Sequence, residues 1–476
     1  VILTPGTFLR GLIHIGEVHF SAGRAGEPAA VELGEALSQI GLPIMRFKTG
    51  TPPRVDAATI DFFHLERQEH EDDTPPFSLW SNPEKNLPWQ PCFITRTTAE
   101  THRVIKENFG RSALIAGRIT GTGARYCPSI EDKLNKFPDK ETHKVFLEPE
   151  GAYSQEYYLQ GLSTSLPEEV QERYVKTLPG LENAHITRPG YGIEYDIVDP
   201  LDLYPTLMSK SVENLFLAGQ INGTSGYEEA AAQGILAGAN AAAVVLGKSP
   251  LTLDANNSYL GLMVQEITTL GITEPYRVFT SRSPFRLNLR MSNAEERLAE
   301  VGFRHGLLAR DRFARVDLRQ KQLADLEQKL QTYSATAASY RQALAAWNLP
   351  IPVGNVTAAQ LLRHPDADLV MFLPLFPEIA ELDRLAVLEV EARIKYSGYF
   401  AQQHKEFKLI ESMRTIQIDE GFFDELPAAV CKEARMKILA VRPATVEALA
   451  SIPGVRASDL TLILLTLRRR QRDSEL

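Results

Sequence analysis

Up to about residue 250 the chain alternates short apolar runs with glycine- or proline-rich turns. "VILTPGTF" (Val1–Phe8) reads as a buried strand stopping at a tight turn with exposed amides. Apolar positions at helical spacing predict a helix from about Val31 to Ile40, flanked by turns at residues 21–30 and at Gly50-Thr51-Pro52-Pro53-Arg54. "PCFITRT" and "HKVFLEPEG" read as strands, and "RPGYGIEYD" as a strand with residues 194 and 196 on one face and 191 and 195 on the other. "NLFLAG", a glycine-spaced turn and the alanine-rich "GYEEAAAQGILAGANAAAVVLG" form a βα unit of a doubly wound sheet.

After Pro250 the period changes to that of helices. "LRQKQLADLEQKLQTY" puts Leu323, Leu326, Leu330 and Tyr333 at helical spacing, and prolines at 350, 352, 365, 374 and 377 punctuate the later helices. "VEALASIPGVRASDLTLILLTLRRRQR" reads as a closing helix–turn–helix. This half is expected to be all-α.

Composition adds limits. At 476 residues, 44% hydrophobic and 23% charged, the chain has room for two or three domains with their own cores. The net charge of −9 is uneven, with 22 positive and 32 negative residues over 1–250 against 29 and 28 over 251–476. The second half is therefore the better place for a polyanion, through local patches. Cys92, Cys127 and Cys431 lie far apart in no paired spacing, which argues against a disulfide framework or metal site and fits a reducing cytoplasm. No apolar run suggests a membrane span, and no signal peptide is read. Val1 falls inside a strand pattern, so sequence upstream of it is expected.

Three stretches carry candidate chemistry. In "LFLAGQINGTSGYEEAAAQG", Gly219, Gly223 and Gly226 let backbone amides approach a ligand at the carboxyl edge of a sheet, beside a helix start. Glu228 and Glu229 there also suit the helix dipole, so capping electrostatics is an equal reading. Cys127 is followed by an expected helix start at Pro128-Ser129 and flanked by Arg125 and Lys133, features that favour a thiolate, whereas a lone cysteine is more often a small buried hydrophobe. Glu194 and Asp196 could do acid–base work, or simply tie down a strand end. Arg277, Arg282, Arg286 and Arg290 lie in "YRVFTSRSPFRLNLR", and the last three, spaced by four, would align on one helical face as a phosphate-binding ridge. Ser283-Pro284 would interrupt such a helix, and a solvated face is the plainer reading.

Ala218–Asn240 closely resembles a signature of the MnmG (GidA) family, and "GARYCPSIEDKLNKF" (Gly123–Phe137) resembles that family's signature around an essential cysteine. Ala239 and Ala124 depart from the usual residues. "FSAGRAGEP", "KTGTPPR", "STSLP", "RPGYGIEYD", "EPYRVFTSR" and "KYSGYFAQQ" occur in family order. The resemblance implies an α/β fold plus an all-α part: a glutathione-reductase-like FAD-binding Rossmann domain, here N-terminally truncated and without its GxGxxG loop, an inserted α/β domain and a C-terminal helical domain. The implied limits are 1–55 and 186–250 for the FAD-binding parts, 56–185 for an inserted NADH or substrate domain, 251–400 for a helical domain and 401–476 for a subdomain binding tRNA and a partner.

The expected cofactor-binding positions are Gly6, Gly23, Arg24, Ala30 (usually serine), Gly123, Gly219, Gln220, Asn222, Gly223 and Gly226; the resemblance implies that Gln220 contacts the flavin and that Gly123 opens an NADH stretch, Gly123–Phe137. It casts Cys127 as a candidate nucleophile toward uridine or a flavin-site residue; Glu194 and Asp196, from the strand pattern above, are further catalytic candidates. RNA contacts are expected from Arg277, Arg282, Arg286 and Arg290 and from Arg468, Arg469 and Arg470. The implied activity is FAD- and NADH-dependent addition of a (carboxymethyl)aminomethyl group to the wobble uridine of tRNA. Methylenetetrahydrofolate would be a co-substrate, the GTPase MnmE the partner, and a cytoplasmic homodimer the assembly. A folate-dependent tRNA uracil methyltransferase, or a fragment that only binds tRNA and the GTPase, are the alternatives.

Overall fold

A computed structural model describes residues 1–69, 74–81, 89–124, 128–283, 285–344, 352–413, 416–450, 452 and 455–474. The chain divides into two compact units: Val1–Thr74, Asn82–Thr252 and Ile267–Arg277 in the first, and Pro75–Ser81, Leu253–Glu266 and Val278–Leu476 in the second.

In the first unit the amino-terminal run pairs with one more than 200 positions away in sequence. Ile2–Leu3 lies parallel to Phe216–Leu217, Ile2 beside Phe216 and Leu3 beside Leu217. Each strand runs into a short 3-10 turn, Gly6–Phe8 and Gly219–Asn222, and the second turn leads to the helix Tyr227–Leu246. Two strands thus end side by side at the edge where open α/β sheets bind ligands. Helix Tyr227–Leu246 is long and apolar enough by composition to cross a membrane. It nonetheless buries Glu229, Gln233 and Asn240, and Asn240 clasps Leu251 through both of that residue's backbone groups, at 2.9 and 2.7 Å.

The strand Tyr191–Val198 is nearly all buried, because it has neighbours on both edges. It pairs antiparallel with Leu12–Ile15 and Ile44–Thr51 in a five-stranded sheet that also holds Val18–Ser21 and, parallel to Ile44–Thr51, the short Thr122–Gly123. A second, six-stranded antiparallel sheet includes Arg54–Asp56, Phe93–Arg96, Lys144–Pro149 and Glu156–Gln160. Its core joins Leu147 and Leu159 to Val104 and Ile105 of helix Ala99–Glu107 and to Val170 and Tyr174 of helix Glu168–Val175.

The second unit is helical, as its period predicts. Leu323, Leu326 and Leu330 form the buried stripe of helix Arg310–Thr332 and pack with Phe372 and Val390, while Tyr333 falls just past the helix end and stays partly exposed. Farther on, Phe422, Ile438, Leu449 and Ile463 make a separate core, with helix Val446–Ala450 and helix Ala457–Ser474 where the closing pair was expected. One strand pair corrects the all-α expectation: Ser334–Thr336 pairs antiparallel with Asn355–Thr357. Each strand is three residues long with a single inward apolar residue, Ala335 or Val356, too short a run to read as a strand, so only the pairing itself identifies them.

Candidate functional site

The turn between Phe216–Leu217 and helix Tyr227–Leu246 is braced from inside. Gly219 and Gly223 have φ of +84° and +75°, conformations that favour glycine. The fully buried Gln233 holds both ends of the turn. Its Oε1 accepts from the Gly219 amide at 3.0 Å and from Asn222 Nδ2 at 2.8 Å, and its Nε2 donates to Thr224 Oγ1 at 2.9 Å. Thr224 in turn donates to the Gly219 carbonyl. Gly223 has a packing reason besides its φ, since a Cβ there would stand 1.9 Å from Ile272 Cδ1.

This brace brings several expected positions together. Gly6 faces Gln220, and a Cβ on Gly6 would stand 3.7 Å from Gln220 Oε1 and meet nothing else within 4 Å. Gly23 lies against the Phe8 ring so closely that a Cβ would come within 2.1 Å of it, and the Ala30 amide donates to the Phe8 carbonyl at 2.8 Å. Tyr195 stands beside Gln220; burial pushes its phenol up to about 12, with Gln220 working in the opposite direction. The carboxylates of the first helical turn divide. Glu229 is buried and pairs with Arg277 at 3.2 Å, whereas Glu228 is exposed. Arg24, one of the expected positions, pairs with its neighbour Glu27.

Gly123 belongs to a different place. Its strand lies against the Lys48 side chain, and with Lys48, Ala124, Pro128, Asp132, Lys136 and Glu274 it lines a cavity of about 320 Å³. Cys127 and Arg125 lie outside the described residues, but both flanks of that segment are defined. Ser129 caps helix Ile130–Lys136 by accepting from the Asp132 amide, as the Pro128-Ser129 pattern predicts. Lys133 donates to the Gly161 carbonyl at 2.8 Å.

Glu194 is a buried anion clamp, not an open carboxylate. One oxygen accepts from Thr120 N, Thr120 Oγ1 and Gly121 N at 2.9, 3.0 and 2.7 Å, and the other shares a 2.8 Å hydrogen bond with His14. Burial alone would raise its pKa; the bonds from His14, Gly121 and Thr120 overcome that and bring it down to about 2. Asp196 is likewise buried, between Arg46 at 2.8 Å and Arg10 at 3.2 Å. Of the two expected roles, acid–base work and tying down a strand, this geometry serves the second. Periodicity gave no hint of Glu131, fully buried after Ser129, which accepts from Ser112 Oγ, Ser165 N and Ser165 Oγ at 3.1, 2.8 and 2.9 Å. Its partners come from "STSLP" and from a turn near residue 112, so only folding reveals it.

The expected arginine ridge does not form. Arg282 and Arg286 sit in two separate 3-10 turns, Thr280–Arg282 and Arg286–Asn288, and Arg290 precedes a third, Met291–Asn293. Arg282 pairs with Glu266, and Arg290 makes two hydrogen bonds to the buried Glu389, at 3.2 and 2.7 Å. Burial pushes the Glu389 carboxyl up, but Arg290, Ser292 and Arg393 outweigh it and hold it below the usual carboxylate range. Arg286 remains exposed. Arg470 contacts Asp419 and Glu425, and Arg468 and Arg469 lie on the same helix.

Residues 1–249 match the family described as glucose inhibited division protein A, and residues 310–404 match the C-terminal helical domain of the tRNA modifying enzyme MnmG/GidA. The chain belongs to the MnmG/GidA family. A relative from Syntrophotalea carbinolica, named tRNA uridine 5-carboxymethylaminomethyl modification enzyme MnmG, is 42% identical over 98% of this chain and 75% of its own length. A protein of the same name from Geobacillus kaustophilus is 42% identical over the same shares. The solved structure of Aquifex aeolicus GidA in its form II crystal superposes with a TM-score of 0.78 at 39% identity, over 98% of this chain and 74% of that one. The expected mixed α/β fold with a C-terminal helical part holds for this MnmG/GidA chain.

Proposed function

We propose that this chain acts as a tRNA uridine modification enzyme of the MnmG type and uses FAD. The carrying observation is that the family match includes both glycine turns, at the ends of two adjacent parallel strands, with Gln220 between them. The residues present suit a flavin dinucleotide. Gly6 leaves open room beside Gln220, and the buried Asn222 Oδ1 has no hydrogen-bond partner among the described residues. Gly6, Gly23, Ala30, Gly219, Gln220, Asn222, Gly223 and Gly226 would hold and orient the cofactor. FAD supplies two-electron chemistry when bound. The chain's own part is positional: the Gln233 brace fixes the amides of the turn, and Tyr195 keeps its proton beside Gln220 across neutral pH.

In this reading residues 1–55 and 186–250 build the FAD-binding part, 56–185 an inserted part, and 251–400 and 401–476 the helical parts. NADH as electron donor and methylenetetrahydrofolate as carbon donor would be served near Gly123 and Lys48, with Cys127 as the candidate nucleophile. tRNA is the substrate; the GTPase MnmE, a homodimer and a cytoplasmic setting complete the proposal. Testing it takes a strain lacking its own family enzyme, supplied with this chain, and mass spectrometry of its tRNA together with the visible spectrum of the purified protein. Restored wobble-uridine modification, lost in Cys127→Ser, and a bound flavin spectrum are expected. A colourless protein that binds tRNA but restores nothing would sink the enzyme reading.

A further inference from the structure

Of the arginines of the second unit expected to meet RNA, Arg282, Arg290 and Arg470 are held by carboxylates, so the other cations of that unit have to be weighed as phosphate contacts. Arg290, Arg304, Arg319 and Arg393 each have a carboxylate oxygen within 4 Å. Arg310, Arg312 and Arg315, at the start of helix Arg310–Thr332, are exposed and have none among the described residues. Arg312 and Arg315 instead lie over the Trp80 ring, with their guanidinium carbons 5.0 and 5.4 Å from its centroid.

The platform under them is built, not incidental. Leu79 is buried against Ala299 and Val316, its amide donates to Glu295 at 3.3 Å, and the Trp80 amide donates to Ser78 Oγ at 3.1 Å. Phe313, between the two arginines in sequence, stacks on Phe303 at 4.6 Å. Among the described residues the acidic neighbours are Glu295, which takes the Leu79 amide, Asp311, exposed in the same turn, and Asp317, engaged by Lys321 at 2.7 Å.

We propose that Trp80, Arg312 and Arg315, together with Arg310, form a contact surface for the sugar–phosphate backbone and unpaired bases of RNA. Guanidinium groups stacked on an aromatic ring keep their N–H edges available for bidentate bonds to phosphate, and planar cations and indole also offer stacking faces to bases. An isolated cluster of lysines would offer charge alone. The inference rests on the reading that tRNA is the substrate, and it assigns that substrate a docking place that the expected ridge does not supply.

The test is fluorescence anisotropy with a labelled, unmodified tRNA transcript at several salt concentrations. It uses the full chain, the variant R310Q/R312Q/R315Q and a control, R341Q/R363Q/R384Q, that removes three other exposed arginines of the same unit. The first variant is expected to bind about 10- to 100-fold more weakly, with the slope of log K against log salt reduced by about two to three. The control should lose much less. Because thermal midpoints check folding independently, R312K/R315K serves as a second probe: it keeps the charge, loses the planar stack and is expected to fall between the two. Unchanged affinity and slope in R310Q/R312Q/R315Q, or an equal loss in the control, overturns the surface. So does unchanged tRNA affinity with lost retention on polyglutamate, which would move the surface to an acidic protein partner. If the unaltered chain itself fails to bind tRNA, the functional reading falls and the surface with it.

Discussion

The glycine turn of the first unit and the arginine segment of the second are equally prominent as motifs, and they come through folding differently. In the turn, the motif's chemistry is backbone: Gly219, Gly223 and the amides near them stand where the sequence places them, and Gln233, Asn222 and Thr224 hold them from behind. In the arginine segment the chemistry is side-chain charge, and charge is whatever its neighbours leave over. Glu266 and Glu389 take up Arg282 and Arg290, while Arg312 and Arg315, in no expected motif, lie over Trp80 with no carboxylate beside them among the described residues. A motif that works through backbone geometry survives folding more legibly than one that works through charge.

Three tests put this contrast under strain. The largest effect is expected at Glu194, where an interior carboxylate serves as a structural tie. Glu194→Ala leaves His14, Thr120 and Gly121 without their shared acceptor and should cost about 3–5 kcal/mol in urea denaturation; a loss below about 1 kcal/mol would contradict the clamp. Because its folded pKa of about 2 lies below the ordinary 4.5, its stabilisation is complete above pH 4.5 and drains away as pH falls toward 2. Glu194→Gln should therefore flatten that acid limb of the stability curve.

Next in size is Gln233→Ala, which removes the brace but none of the turn's own residues. About 2–3 kcal/mol of destabilisation is expected, with faster hydrogen exchange at the Gly219 amide. Unchanged exchange there would mean that the turn holds itself.

The third test sets two arginines against each other. Arg290→Ala strips one partner from Glu389, which keeps Arg393 and Ser292, and should cost about 2 kcal/mol. Arg286→Ala, exposed on its own 3-10 turn, should stay within about 0.5 kcal/mol. Equal thermal shifts for the two would erase the distinction between carboxylate-bound and exposed arginines.

Much of the fold is legible in the chain. The helices at Val31–Gln39 and Tyr227–Leu246, the strands at Phe93–Arg96, Lys144–Pro149 and Tyr191–Val198, and the buried leucine stripe of Arg310–Thr332 all follow from local period. The pair Ser334–Thr336 and Asn355–Thr357 does not, because each strand is only three residues long and the two are separated in sequence. In the site, Gly219 and Gly223 are readable because their φ angles demand glycine. Glu131 is not, because its meaning depends on Ser112 and Ser165, which the chain brings to it from elsewhere.

By itself, then, the sequence determined where strands, helices and glycine turns fall and which family they spell. Those properties depend on residue type, local spacing and order along the chain. The tertiary structure alone decided the fate of the charges. Glu194 became a clamp with a pKa of about 2, Arg290 a partner for a buried glutamate, and Arg312 and Arg315 an exposed pair on an indole. The physical reason is that a charge's behaviour is set by burial and by partners within a few ångströms, and these come from segments that lie far apart in the chain.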